Sequence, residues 1–224
     1  MSDSTSKVFA FKRPVGTSKK RLSLVANARD TLVGIGFERG VEVDIATGGQ
    51  FSIIDAVEAV LEFTGPADVT LATWTAAEFD LTQIQGQLTS GRIRSLRLII
   101  DRSFVSRQPK FVDVIHERFG RDSVRSTTTH AKFVIIRNES WSVVIRTSMN
   151  LNFNPRLEYL QIVEDHDLAA FWLSVADEIF SEEEPGLVNR RNLPAFGGIA
   201  GLEPIEYVRM GKEPAMGLKP RMTA

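Results

Sequence analysis

Residues 127–158, TTTHAKFVIIRNESWSVVIRTSMNLNFNPRLE, decide how the rest of the chain is read. His130, Ala131 and Lys132 head an apolar run that ends at the polar turn Asn138, Glu139, Ser140. A second apolar run, 141–145, leads into Thr147, Ser148, Met149 and Asn150. Two Val- and Ile-rich runs around a short polar turn predict a β-hairpin. Side chains two apart on a strand share a face, about 6.5–7 Å apart along it. His130 and Lys132 therefore project together, as do Ser148 and Asn150 from the later strand. An imidazole, an ammonium, a hydroxyl and an amide converge, and that set can hold and attack a phosphate.

Outward from the hairpin, the chain alternates strand and helix patterns. A short strand is expected at 41–45 within an otherwise unassigned 26–48. Ile53, Ile54, Val57, Val60 and Leu61 fall at helical spacing behind a Ser52 cap, with Asp55 in the first turn and Gly65-Pro66 as the stop. Strands are expected at 69–74, 96–101 and 157–163, and an extended run at 124–129. Helices are expected at 81–88, after Pro109 as far as Gly120, and at 167–180. Strands separated by helices predict an α/β fold, a mixed β-sheet covered by helices on both faces. Trp74, Trp141 and Trp172 read as core, although Trp74, near a strand end, could also stack on a base. Asn152 and Asn154 read as turn or cap residues before Pro155.

Composition narrows the function classes. The 224 residues are 43% hydrophobic and 25% charged, with a net charge of −1, an ordinary globular balance. No cysteine is present, which excludes disulfides, thiolate metal sites and cysteine catalysis. No apolar run approaches the ~20 residues of a membrane span, and the first 21 residues lack an apolar signal core. A cytoplasmic protein without a membrane partner is expected. The charge is uneven: between Arg92 and Arg125 nine bases face four acids, and acids gather later, around Glu164, Asp165, Asp167 and Glu182. Arg92, Arg94, Arg102, Arg107 and Lys110 are the candidate nucleic-acid contacts, joined by a basic N-terminal arm.

The order His130-x-Lys132, Ser148-x-Asn150, Glu158 resembles the phospholipase D superfamily, whose signature is His-x-Lys, four residues, Asp, about six residues, then Gly-Ser-x-Asn or Gly-Gly-x-Asn. The similarity covers roughly residues 48–182 and implies a phospholipase D-like half-fold with a single His-x-Lys motif. The expected organisation is a flexible basic arm at 1–25, an α/β domain at 26–184 and an irregular tail at 185–224. Two positions depart from the signature. Arg137 stands where the family has Asp, and Thr147 where it has Gly before Ser148. Asn138, Glu139 and Glu158 are the candidates to stand in for that Asp.

The resemblance implies a metal-independent phosphodiesterase, with His130, Lys132, Ser148, Asn150 and Glu158 as its site and no cofactor. Lys132 and the Asn150 amide would neutralise the non-bridging oxygens, most strongly in the transition state. An imidazole, with an ordinary pKa near 6.5, is available neutral at pH 7 to attack phosphorus and form a phosphohistidine. The leaving oxygen then needs a proton from a second histidine. His116 falls on a helix flank and His166 lies between two acids; neither is followed by Lys two residues on. A two-fold homodimer sharing one site is the expected solution. The expected substrate is nucleic acid, DNA rather than RNA. The competing expectation, motivated by Arg137 and Thr147, is a non-catalytic nucleic-acid-binding protein with a degenerate site.

Overall fold

The computed structural model describes residues 27–152 and 155–190. The basic arm expected at 1–25, Asn154, and the expected tail beyond residue 190 lie outside the described residues. In chain order the elements are α1 (Ala28–Ile35), β1 (Glu42–Thr47), α2 (Ile53–Thr64), β2 (Ala67–Thr73), α3 (Glu78–Thr89), β3 (Ile93–Asp101) and α4 (Phe104–Arg107). They continue with α5 (Pro109–Phe119), β4 (Val124–Thr127), β5 (Phe133–Arg137), β6 (Ser142–Thr147), β7 (Glu158–Glu164) and α6 (His166–Glu182).

The strands form one mixed sheet in the order β1-β7-β6-β5-β2-β3-β4. β2, β3 and β4 run parallel; β5, β6, β7 and β1 are antiparallel to their neighbours, with the seam between β2 and β5. The consequence is geometric. The carboxyl ends of β1, β2, β3, β4 and β6 and the starts of β5 and β7 all lie along one edge of the sheet. Ligands of open α/β sheets bind outside the carboxyl ends of the parallel strands.

Each face of the sheet carries its own core. Val69, Leu71, Leu98, Ile100, Val134, Ile136, Val143 and Ile145 pack under α1, α2, α3 and α5. Ala72, Ile99, Phe133, Ile135, Val144 and Val163 pack against α6 through Leu168, Val175 and Ile179. The strict alternation along β5 and β6 divides one hairpin between two cores, and each fully buried aliphatic side chain contributes about 1.5–3 kcal/mol.

The capping signals operate as expected. In α2 the Ser52 backbone N–H donates to Asp55 Oδ2 at 2.6 Å and the Asp55 N–H to Ser52 Oγ at 3.4 Å, which satisfies two donors the helix itself cannot. Asn138 Oδ1 accepts the N–H groups of Ser140 and Trp141, both at 2.9 Å, and so closes the β5–β6 turn. Helix α1 falls in the stretch that sequence periodicity left unassigned. It is set by its ends: Asn27 Oδ1 accepts from the Asp30 N–H at 2.8 Å, and Gly36, at φ 77°, donates to Leu32 and Val33. Phe37 then turns inward against Phe63 and Trp141.

Candidate functional site

The hairpin delivers both predicted pairs, His130 with Lys132 and Ser148 with Asn150, to one sheet edge from just outside its strands, and Glu158 opens β7 at the same edge. β5 begins at Phe133 and β6 ends at Thr147, so both pairs occupy the extended connections just outside. The ladder stops there because β2 pairs with β5 only as far as Ala72 opposite Phe133. The two connections remain joined, since the Thr147 N–H donates to the Lys132 carbonyl at 3.3 Å.

Lys132 and His130 lie together, although neither stands on the strand face from which the sequence expected them to project. The ammonium lies 3.3 and 3.4 Å from the two ring nitrogens of His130 and donates to the His130 carbonyl at 2.9 Å. Burial pushes the Lys132 pKa down; Glu158 opposes that shift and Arg156 adds to it. The result is a half-buried cation held against an imidazole.

On the other connection, Ser148 Oγ donates to the Glu158 carboxylate and accepts the Tyr159 N–H at 3.1 Å. Ser148 therefore ties its loop to β7. Glu158 is 7% exposed and Arg156 donates to it at 2.5 Å. Burial alone would raise its pKa, but hydrogen bonds from Ser148 and Arg156, with the charges of Arg156 and Lys132, leave it below the usual value. Asn150 is 9% exposed, and its amide oxygen has no hydrogen-bond partner among the described residues. Its position is fixed by its neighbour: the Leu151 N–H donates to Thr75 O and Thr73 Oγ1, and Leu151 O accepts the Ala77 N–H at 2.7 Å. A buried amide oxygen without a partner costs free energy unless some donor at the site satisfies it.

The two departures from the motif have physical accounts. Thr147, in the glycine position, donates from Oγ1 to the Tyr159 carbonyl at 2.6 Å and accepts the Met149 N–H at 3.0 Å, so a hydroxyl shapes the turn. Arg137 ends β5, five residues from Lys132 and about 16 Å along the strand. Asn138 and Glu139 lie at that far end too, bonded to Thr64, Pro66 and Arg94. Of the three candidates for the missing carboxylate, only Glu158 sits with His130 and Lys132.

The basic candidates divide. Arg92 and Arg94 stand at the start of β3, at the far edge, where Arg94 pairs with Glu139 at 2.8 Å and Asp68 at 3.1 Å. Arg102 and Arg107 follow the end of β3, beside the site, and Lys110 is exposed in the first turn of α5. His116 accepts the Leu187 N–H at 2.8 Å and holds the segment after α6 against the sheet. His166 lies at the far edge against Asp167.

Asp101 and the setting of Trp74 were not foreseen. Asp101, 7% exposed at the end of β3, accepts from the Ser103 N–H and Oγ and from the Thr129 N–H. Trp74 is half-buried between Arg107, 3.7 Å above its ring, and His130, 5.8 Å away ring to ring. The one sequence signal for Asp101 was an acid closing the apolar run Leu98, Ile99, Ile100. Among the described residues no three His, Cys, Asp or Glu side chains gather to hold a metal ion, and no helix is long and apolar enough to cross a membrane.

No family model and no curated protein matches this chain. Among solved structures it is similar to NucT from Helicobacter pylori (13% identity, TM-score 0.45), covering 65% of this chain and 99% of that one. It is similar to Nuc from Salmonella typhimurium, a phospholipase D family member (13% identity, TM-score 0.44), covering 68% and 100%. It also resembles the phosphatidylserine synthase of Haemophilus influenzae Rd KW20 (12% identity, TM-score 0.47), covering 66% of this chain and 40% of that one. What the site can do is set by its own residues.

Proposed function

We propose that the protein is a metal-independent phosphodiesterase, a nuclease cutting DNA in preference to RNA, with His130 as nucleophile. The observation that carries this is the Lys132 ammonium against the His130 ring, with the side chain of Asn150, buried at the same sheet edge, carrying amide hydrogens as a second donor. Lys132 and Asn150 would hold the non-bridging oxygens as charge grows on them. A His130 ring nitrogen forms a bond to phosphorus while the phosphorus–oxygen bond to the leaving strand breaks. The departing oxygen takes a proton from a second imidazole. Water, deprotonated by that same base, then displaces His130 from phosphorus.

The second imidazole, in this reading, comes from outside the chain. His116 is engaged with Leu187 and His166 lies at the opposite sheet edge, and the chain has three histidines. A second copy of the chain would supply His130 across a two-fold axis. Arg102 and Lys110, at the site edge, suit a polyanion that extends past the scissile bond.

The test is cleavage of single- and double-stranded DNA in excess chelator. Wild type should turn over, and His130→Ala should lose at least ~10³-fold in rate while still binding DNA. Salt-sensitive binding without cleavage by wild type would instead establish a binding protein.

A further inference from the structure

We infer that Asp101 is the positioning residue for His130, anchoring a closed ring of contacts that fixes both the loop carrying the imidazole and the wall behind it. The inference rests on the role proposed above for His130. The ring can be followed bond by bond. Asp101 Oδ2 accepts the Thr129 N–H at 3.0 Å, one residue before His130. Its Oδ1 accepts from the Ser103 N–H at 3.0 Å and from Ser103 Oγ. Ser103 Oγ in turn accepts from Arg107 Nε at 3.1 Å. Arg107 lies 3.7 Å over the Trp74 ring and donates from Nη2 to the Trp74 carbonyl at 2.8 Å. The Trp74 ring closes the circuit against His130, at 5.8 Å and an interplanar angle of 57°.

The arrangement has a physical purpose if His130 attacks phosphorus. His130 is exposed and lies outside the sheet, so no ladder hydrogen bonds hold it. An exposed side chain on a connection samples several rotamers, and a nucleophile displaced by about 1 Å loses on the order of 10²-fold in rate. Two further bonds brace the same loop: Arg102 Nε donates to Thr128 Oγ1, and the Ala131 N–H to Thr129 Oγ1, both at 3.1 Å. Asp101 is the buried member of the circuit and is itself the last residue of β3, a strand that packs in both cores. Rigidity therefore passes from the sheet to the imidazole through a carboxyl group that never touches substrate. One consequence concerns Arg107. Its guanidinium is engaged with Trp74 and Ser103, so its effect should fall on turnover more than on substrate binding.

The test has two arms on the full chain. In the first, the three histidine Cε1–H resonances are recorded by NMR, with the His130 line identified by its loss in His130→Ala. The Trp74 ring current acts on that proton at this separation, so Asp101→Ala should move and broaden the His130 line and leave the His116 and His166 lines in place. Arg107→Ala breaks the circuit at an exposed link and should shift the same line in the same direction if Asp101→Ala fails to fold. Asp101→Asn, which keeps one acceptor oxygen, should lie between wild type and Asp101→Ala. In the second arm, steady-state hydrolysis of bis(p-nitrophenyl) phosphate should show kcat falling ~10- to 100-fold in Asp101→Ala and Arg107→Ala, with KM within about twofold. A His130 line unmoved in a folded Asp101→Ala or Arg107→Ala protein would overturn the inference, as would a loss carried by KM alone. Absence of turnover in wild type would sink the phosphodiesterase reading instead, and the NMR arm would then decide the positioning role by itself.

Discussion

The two edges of the sheet carry similar side chains under different physical conditions. At the far edge Arg94 pairs with Asp68 and Glu139, His166 with Asp167, and Arg137 stands exposed. The Arg94 charge is hydrated and met by two exposed carboxylates, and exposed pairs of this kind contribute little. At the opposite edge Asp101, Asn150 and Glu158 are buried, and Lys132 is half-buried with its pKa pushed down by that burial. Polar groups there have been taken out of water around an exposed imidazole. Chemistry needs the second condition, because a charge acts more strongly on a phosphate where water does not screen it.

That contrast can be broken most severely at Lys132. Lys132→Met should lower turnover ~10²- to 10³-fold, a barrier increase of about 2.7–4 kcal/mol, in a chelator-treated DNA cleavage assay. A tenfold or smaller loss would mean that the ammonium does not meet developing charge.

Glu158→Gln sharpens the contrast through pH. The Glu158 carboxyl is held below its ordinary 4.5, so its ionised form stabilises the fold. The wild-type advantage over Glu158→Gln in urea midpoint should be full above about pH 4.5 and shrink as the pH falls below it. A gap that widens on acidification would reverse the assignment.

A smaller effect is expected at His116. Burial, followed by the charge of Arg121, lowers its pKa below 6.5, with Asp113 opposing. Neutral His116 accepts the Leu187 N–H, so its contribution is present above about pH 6.5 and is lost as the pH falls through its lowered pKa. Hydrogen exchange at Leu187 should accelerate on acidification beyond the change in intrinsic rate, and His116→Ala should remove that extra acceleration.

The smallest effects belong to the far edge. Arg94→Ala should leave turnover within twofold of wild type. Arg137→Asp, which places the phospholipase D signature's acid at this position, should not raise turnover, because the position lies about 16 Å along the strand from Lys132. A large gain from Arg137→Asp would show that the two edges communicate.

The scaffold around the candidate site was legible from local pattern. The hairpin and the Ser52–Asp55 capping box follow from spacing within a few residues. Helix α1 was missed because it is short, eight residues, and buries only Ala28, Thr31 and Leu32. Its signals were Asn27 and Gly36 rather than periodicity. The basic stretch misled differently. Arg94 and Asp101 belong to one strand, yet seven residues in extended conformation carry them about 23 Å apart, to opposite edges. Contiguity in sequence was read as contiguity on a surface.

What the sequence determined by itself was whatever neighbours along the chain decide: strand and helix periods, caps, the polar turn and the motif's internal spacing. Short-range sterics and hydrogen bonds set these before any packing occurs. Tertiary structure decided which edge each group reached and what it met there. Asp101 finds Thr129 28 residues on, Leu151 finds Thr73 78 residues back, and His116 finds Leu187 71 residues on. Those partnerships depend on strand order and direction, which burial of two apolar faces selects from the whole chain at once.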